Sequence, residues 1–287
     1  MAQNFKNILI PLNFSESSES AVMTGIAMCK RHQTALHLLY VKEDHNLLVP
    51  PGRNPGLFEM TMAAGVALQD ELETQARSIE TEHGIDCYFH TSDEDFLTAV
   101  LETTADFHCG LIVLQKTKGS GILPVARRNS VYRILKNVDC PVLTIPPEMK
   151  VLTFSNVLFP VRPLVAALDK LEIALSIITK NNSKVLLFSA LDTKNETSDA
   201  DLVNELTNRA YFKMSINDID IEKETNVSDN VAREVINKAV ERKSDLIIIS
   251  ATIKRGLTAR FYRNYTEKVI DSSPIPVLCV RVQPAWS

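Results

Sequence analysis

Short runs of Ile, Val and Leu, without clean alternation of apolar and polar positions, punctuate the chain. They read Ile8–Leu12 (ILIPL), Ala35–Val41 (ALHLLYV), Leu111–Leu114 (LIVL) and Cys140–Leu143 (CPVL), then Val157–Val161 (VLFPV), Lys184–Ala190 (KVLLFSA), Leu246–Ile249 (LIII) and Ile275–Leu278 (IPVL). Apolar runs this short, bounded by polar segments, predict strands buried on both faces, as in a parallel sheet. Between them lie helical stripes. Val22, Gly25, Ile26 and Cys29 share one face, as do Leu97, Val100 and Leu101. Leu164, Leu168, Leu171, Leu175 and Ile178 step by four and three, and Ala232, Val235, Ile236 and Ala239 form another stripe.

The eight runs are two sets of four. Pro11 and Pro160 are 149 positions apart, as are Ala35 and Lys184; Leu111 and Leu246 are 135 apart, as are Cys140 and Ile275. The second copy has therefore lost about 14 residues between its second strand and its fourth. The loss is expected after the second strand, opposite the Lys42–Gln69 segment of the first copy. Alternating strands and helices predict an open α/β sheet with right-handed crossovers in each copy. The expected domains are 1–147 and 148–287, with Pro146-Pro147-Glu148 as the linker.

Composition narrows the function classes. A net charge of −4 argues against a nucleic-acid binder, and no apolar run reaches the length of a membrane span. Five cysteines without C-x-x-C spacing fit neither a disulfide framework nor a zinc site, and are read as buried apolar residues. The six histidines never fall at a helical ligand spacing with a nearby acid. No G-x-S-x-G elbow, Walker loop or kinase set is present.

The opening ILIPLNFSESSESAV (Ile8–Val22) and the segment LIVLQKTKGSGILPVARRNSVYRILKNVDCPVLTI (Leu111–Ile145) resemble the universal stress protein family. The second half repeats both features more loosely, so the resemblance spans the chain as a tandem pair. It implies two doubly wound, Rossmann-like domains of the adenine-nucleotide-hydrolase kind.

In ATP-binding members of that family, Gly-x-x-Gly, nine residues and Gly-Ser or Gly-Thr follow the fourth strand. Glycines there let backbone N–H groups approach phosphates at a helix N-terminus. Counting on from the fourth strand places Gln115, Lys118, Arg128 and Asn129 at those positions; anchoring on Ser130 instead gives Lys116, Gly119, Asn129 and Ser130. The resemblance also puts Pro11 in the family's Pro-x-Asp strand end, Asn13 at its aspartate and Val41 beside adenine. Gly119 and Gly121 remain in the loop. The same count in the second copy gives Ser250, Ile253, Arg263 and Asn264, with Arg162 at the aspartate position. Bulky residues at positions needing close backbone approach predict that this copy binds no ATP.

Two bland readings complete the picture. Ser15, Ser17, Ser18 and Ser20 read as capping and first-turn residues of a helix, and Asp93, Glu94 and Asp95 as charge at a helix start. The cations around the two loops, from Lys116 to Lys136 and from Lys254 to Lys268, read first as solvated faces, with an anion site at the strand ends as the functional alternative.

The resemblance implies a non-enzymatic, cytoplasmic stress-adaptation protein acting through weak ligand sensing or protein interaction. The alternative is an ATP-binding, slowly hydrolysing protein using the first pocket, with ATP or another adenine nucleotide as its ligand. The last strands, Asp139–Ile145 and Ile275–Val280, are expected to pair as an internal pseudo-dimer; a homodimer of chains is the alternative. Protein partners fit this reading, and nucleic acid and membrane do not.

Overall fold

The computed structural model describes residues 5–12, 18–41, 70, 72–116, 130–147, 149, 152–194, 197–252 and 259–282. The first half runs β1 (Asn7–Leu12), α1 (Glu19–His32), β2 (Ala35–Val41), α2 (72–83), β3 (Cys87–Ser92), α3 (Phe96–Asp106), β4 (Leu111–Gln115), α4 (Ser130–Asn137) and β5 (Val142–Ile145). The second runs β6 (Asn156–Val161), a 3-10 turn (Val165–Leu168), α5 (Leu171–Asn181), β7 (Lys184–Asp192), α6 (Thr197–Ser215), β8 (Ile221–Ser228), α7 (Val231–Glu241), β9 (Leu246–Thr252), α8 (Ala259–Ser272) and β10 (Val277–Val282).

Among the described residues, ten strands form one sheet in the order β3-β2-β1-β4-β5-β10-β9-β6-β7-β8. Within each half all pairings are parallel. The halves meet where β5 and β10 run antiparallel, with Thr144 opposite Val277, Leu143 opposite Leu278 and Val142 opposite Cys279. Strand residues point alternately to the two faces, and both faces are covered. Ile8, Ile10 and Leu12 pack with α1, α2, α5 and α6; Leu9 and Leu158 pack with α3, α4, α7 and α8. Among the described residues, each face thus carries two helices from each half. Gly25 lets α1 sit close to the sheet, since a Cβ there would lie 2.5 Å from Ile10 Cδ1.

The duplication reaches backbone detail. Left-handed turns occur at Gln33 and Asn182, at Gly84 and Asp218, and at His108 and Lys243. These pairs are 149, 134 and 135 apart; the first and last match the sequence offsets, and 134 is also the spacing of Cys87 and Ile221, where β3 and β8 open. Ala35 and Lys184 open β2 and β7, whereas Cys87 and Ile221 open β3 and β8, so the shortening lies between the second and third strands.

One expectation needs correction. The Leu164–Ile178 stripe is not one helix: Leu164 is extended, a 3-10 turn follows, and α5 starts at Leu171. The break turns Lys170 inward, where its ammonium reaches strand carbonyls that a continuous exposed turn could not serve.

Side chains reinforce the join. Lys116 Nζ donates to Asp271 O (3.0 Å) and Ser273 O (2.9 Å), neutralising the carboxyl end of α8. Arg281 donates to Val138 O at 2.9 Å, and Lys180 Nζ donates to Arg31 O at 2.9 Å. Beside that last contact His32 is fully buried, its ring 4.7 Å from Phe5, and neither ring nitrogen has a partner.

The seam generates the first prediction. Val142→Lys places an unpaired charge where Val142 is fully buried, costing several kcal/mol. Scanning calorimetry should show the single melting transition split in two; one unchanged transition would contradict a cooperative seam.

His32 generates the second. Burial, then the nearby Lys180 and Arg31, lower its pKa to about 4 from 6.5. The unfolded chain therefore binds a proton between pH 6.5 and about 4 that the native state does not, so stability falls as pH drops through that window. The linked loss approaches roughly 3 kcal/mol at its limit. His37, lowered to about 4 by burial and then by His90, acts in the same direction. His32→Leu should flatten part of the acid dependence in urea titrations, and an unaltered pH profile would refute the assignment.

Candidate functional site

The order β3-β2-β1-β4-β5 reverses direction between β1 and β4, and its copy reverses between β6 and β9. Open α/β sheets bind ligands at such switch points, beyond the carboxyl ends of the strands. Two crevices are therefore expected, and the sequence fills them differently.

At the first, Pro11 is buried in β1 opposite Leu39, Val41 ends β2 almost fully buried, and Gln115 ends β4 half-buried. Gln115 Oε1 accepts the Ala21 backbone N–H of α1 at 3.2 Å. It thus satisfies one of the donors that a helix start leaves open. Ser18 stands at the N-cap position of α1 but makes no side-chain cap bond. Its φ and ψ of −87° and 9° are not the extended geometry that a capping serine needs, so the expected serine cap is supplied from β4 instead. Asn13, Lys118, Gly119, Arg128 and Asn129, like Ser15, Ser17 and Gly121, lie outside the described residues. Of the predicted site, the structure thus brings together Pro11, Val41 and Gln115.

At the second switch point a lysine takes over. Lys170 matches Ala21 at the offset of 149, and its side chain enters the sheet end. Nζ donates to Pro160 O of β6 and Ile248 O of β9, both at 2.7 Å, and lies 4.0 Å from the Phe159 ring centroid. Burial first, and the Arg162 guanidinium second, hold its pKa well below the ordinary lysine range. Arg162, at the family's aspartate position, stacks 3.7 Å from the Tyr265 ring centroid. Ser250 Oγ, at the position of Gln115, donates to Ala167 O at 3.2 Å. The cavity among these side chains measures about 10 Å³, room for one water-sized species.

Sequence reasoning missed Lys170, which lies inside an apolar stripe and reads as a solvent-facing helix residue. Its one signal was the Asp169-Lys170 pair interrupting that stripe. Elsewhere the bland readings hold. Asp95 caps α3, accepting from Leu97 N at 3.0 Å and Thr98 N at 3.4 Å; the Thr98 hydroxyl holds its carboxyl below the usual range. Arg133 and Lys136 face solvent. All five cysteines are free, and burial pushes the thiols of Cys87, Cys109 and Cys140 up to about 12, which leaves them unreactive. No helix among the described residues is long and apolar enough to cross a membrane.

The model of the universal stress protein family matches residues 4–146 and again 153–281. The chain belongs to the universal stress protein family. No curated protein matches it in sequence. A universal stress protein from Archaeoglobus fulgidus superposes with a TM-score of 0.68 at 17% identity, over 96% of each chain. A protein of unknown function from Pseudomonas aeruginosa PAO1 gives 0.65 at 17% identity, over 97% of this chain and 93% of that one. The cytoplasmic domain of a prokaryotic cation chloride cotransporter gives 0.54 at 12% identity, over 96% and 94%. At these identities the likeness is one of fold: two Rossmann-like universal stress protein domains in tandem.

The lysine clasp generates a third prediction. Lys170→Met removes donors from two carbonyls, and each buried group left unpaired costs about 1–3 kcal/mol. The urea midpoint should fall with the slope unchanged. A midpoint equal to the wild type would show that the clasp adds no net stability.

Proposed function

We propose that this universal stress protein is a non-enzymatic stress-adaptation protein of the cytoplasm. It acts by weak ligand sensing or protein contact, with any adenine nucleotide confined to its first half. The single observation that carries this reading is the filling of the second switch point by Lys170 and Arg162, which leaves about 10 Å³. The groups that chemistry would recruit are held inert. Lys170 is clasped by two carbonyls, and burial raises the thiols.

The halves work as an internal pseudo-dimer in this proposal, supported by the antiparallel register of β5 and β10. That pairing uses the strands through which two chains would otherwise join, so the chain can meet protein partners on its outer surfaces as a single unit.

A second reading, ATP binding with slow hydrolysis in the first pocket, draws support from Pro11, Val41 and Gln115 converging at the first switch point. Titration calorimetry separates the two. We expect at most one ATP site per chain, with Kd in a weak range and no phosphate release. Two equivalent sites would overturn the asymmetry between halves. Phosphate release abolished by Gln115→Ala would favour the second reading. Mass spectrometry of freshly purified, denatured protein should detect no more than one nucleotide per chain.

A further inference from the structure

The two ends of the sheet are built differently. β8 closes one end with Glu222, Lys223 and Glu224; Arg242 lies 3.3 Å from the Glu222 carboxylate, and Lys238 lies 3.1 Å from that of Glu224. Charged side chains of this kind keep an open edge from recruiting another strand. At the other end β3 reads CYFHTS, without Asp, Glu, Lys or Arg. Tyr88 and His90 stand where Glu222 and Glu224 stand 134 positions on, and Phe107 stands where Arg242 does, 135 on. The ion pairs of one edge are thus aromatic rings at the other. Tyr88 is 49% exposed and Phe107 39%. They rest on two histidines, with ring centroids 5.1 Å apart for Tyr88 and His37 and 4.1 Å for Phe107 and His90.

The β3 backbone is open along the same edge. Leu36 N donates to Asp86 O, in the parallel register that sets Leu36 beside Cys87. Alternation then turns the N–H and C=O of Tyr88, His90 and Ser92 toward β2, and those of Cys87, Phe89 and Thr91 outward. Glu80 Oε1 of α2 accepts Cys87 N at 3.2 Å. Among the described residues, the outward groups of Phe89 and Thr91 have no partner. Carboxylates frame this row. From Ser78 to Gln115 the chain holds eight acids and no Lys or Arg. Asp86 just before β3, Glu94 just after it and Asp106 beside Phe107 are all exposed.

We propose that the β3 edge binds an extended, basic segment of a partner protein, which adds to the sheet as a further strand. The segment's main chain pairs with Phe89 and Thr91, and its apolar side chains pack on Tyr88 and Phe107. Its Lys or Arg residues face Asp86, Glu94 and Asp106. A second copy of this chain suits the edge less, because two β3 strands related by a two-fold bring the same acids together. The surface goes beyond the function proposed above and shares no residue with either switch point, so nucleotide binding neither supports nor overturns it.

The full chain is titrated into a fluorescein-labelled peptide of alternating Val and Thr with two Arg at each end, and anisotropy is read. We expect saturable binding that weakens as salt rises, and none to the same peptide with Glu in place of Arg. N-methylation of the central amides should weaken binding about tenfold or more, through the lost main-chain hydrogen bonds. Thr91→Pro removes an outward N–H that the native fold does not use, and Tyr88→Lys puts a like charge on the edge. Both variants should melt as the wild type does and bind about tenfold or more weakly. If Thr91→Pro does not fold, Tyr88→Lys and the N-methylated peptide carry the test. No binding of the Arg-flanked peptide overturns the proposal. So does binding that N-methylation leaves intact, which is charge attraction alone. A dimer in sedimentation that Tyr88→Lys dissolves gives the edge to a second copy and also overturns it.

Discussion

Backbone N–H and C=O groups along β5 and β10 must be paired, because Val142, Leu143, Ile145, Val277, Leu278 and Cys279 are all buried with no solvent to serve them. Each five-stranded half ends on one of these strands. Left alone, it would expose an apolar edge of the kind that invites aggregation or partner exchange. Antiparallel pairing of the two ends consumes both edges at once and merges the halves into one sheet. The arrangement of helices follows from that join. Among the described residues four helices share each face of a common sheet, and α1 meets α5 across the middle, where Lys180 caps the end of α1 at Arg31 O.

On this shared scaffold the two crevices have diverged. The left-handed turns at Gln33 and Asn182, Gly84 and Asp218, and His108 and Lys243 show that backbone geometry was kept through the duplication. The strand ends were not kept. In the first half a neutral amide, Gln115, takes up a helix-start N–H; in the second a lysine takes up strand carbonyls. The opposite polarity of these solutions follows from the opposite polarity of the groups being satisfied.

A doubly wound sheet offers its switch point to ligands whatever the residues there, and the side chains decide what is admitted. Lys170 and Arg162 line a recess of about 10 Å³ at the second switch point. Gln115 accepts the Ala21 N–H at the first. The halves therefore share an architecture while their strand ends carry different polar side chains.

Much of the architecture was legible in the sequence. Unbroken apolar runs such as ILIPL and LIII state strands buried on both faces, because only a covered parallel sheet tolerates them. The offsets of 149 and 135 locate both the duplication and the shortened connection, and the strand–loop–helix motifs point to the family. Asp95 was readable as a helix start, since its role depends on the two or three residues that follow it. The site was less legible. Asn13 and the loop from Lys118 to Asn129 fall outside the described residues, and only Pro11, Val41 and Gln115 can be placed. Tertiary structure alone decided that Gln115 caps α1 from 94 positions away, and that Lys170 bonds to Ile248 across 78. It alone decided that the Leu164–Ile178 stripe breaks to let that lysine in. Local pattern records which face of an element is apolar. Which buried carbonyl or amide lacks a partner is known only once distant strands have been brought together, and the polar side chains settle there because leaving such a group unpaired is expensive.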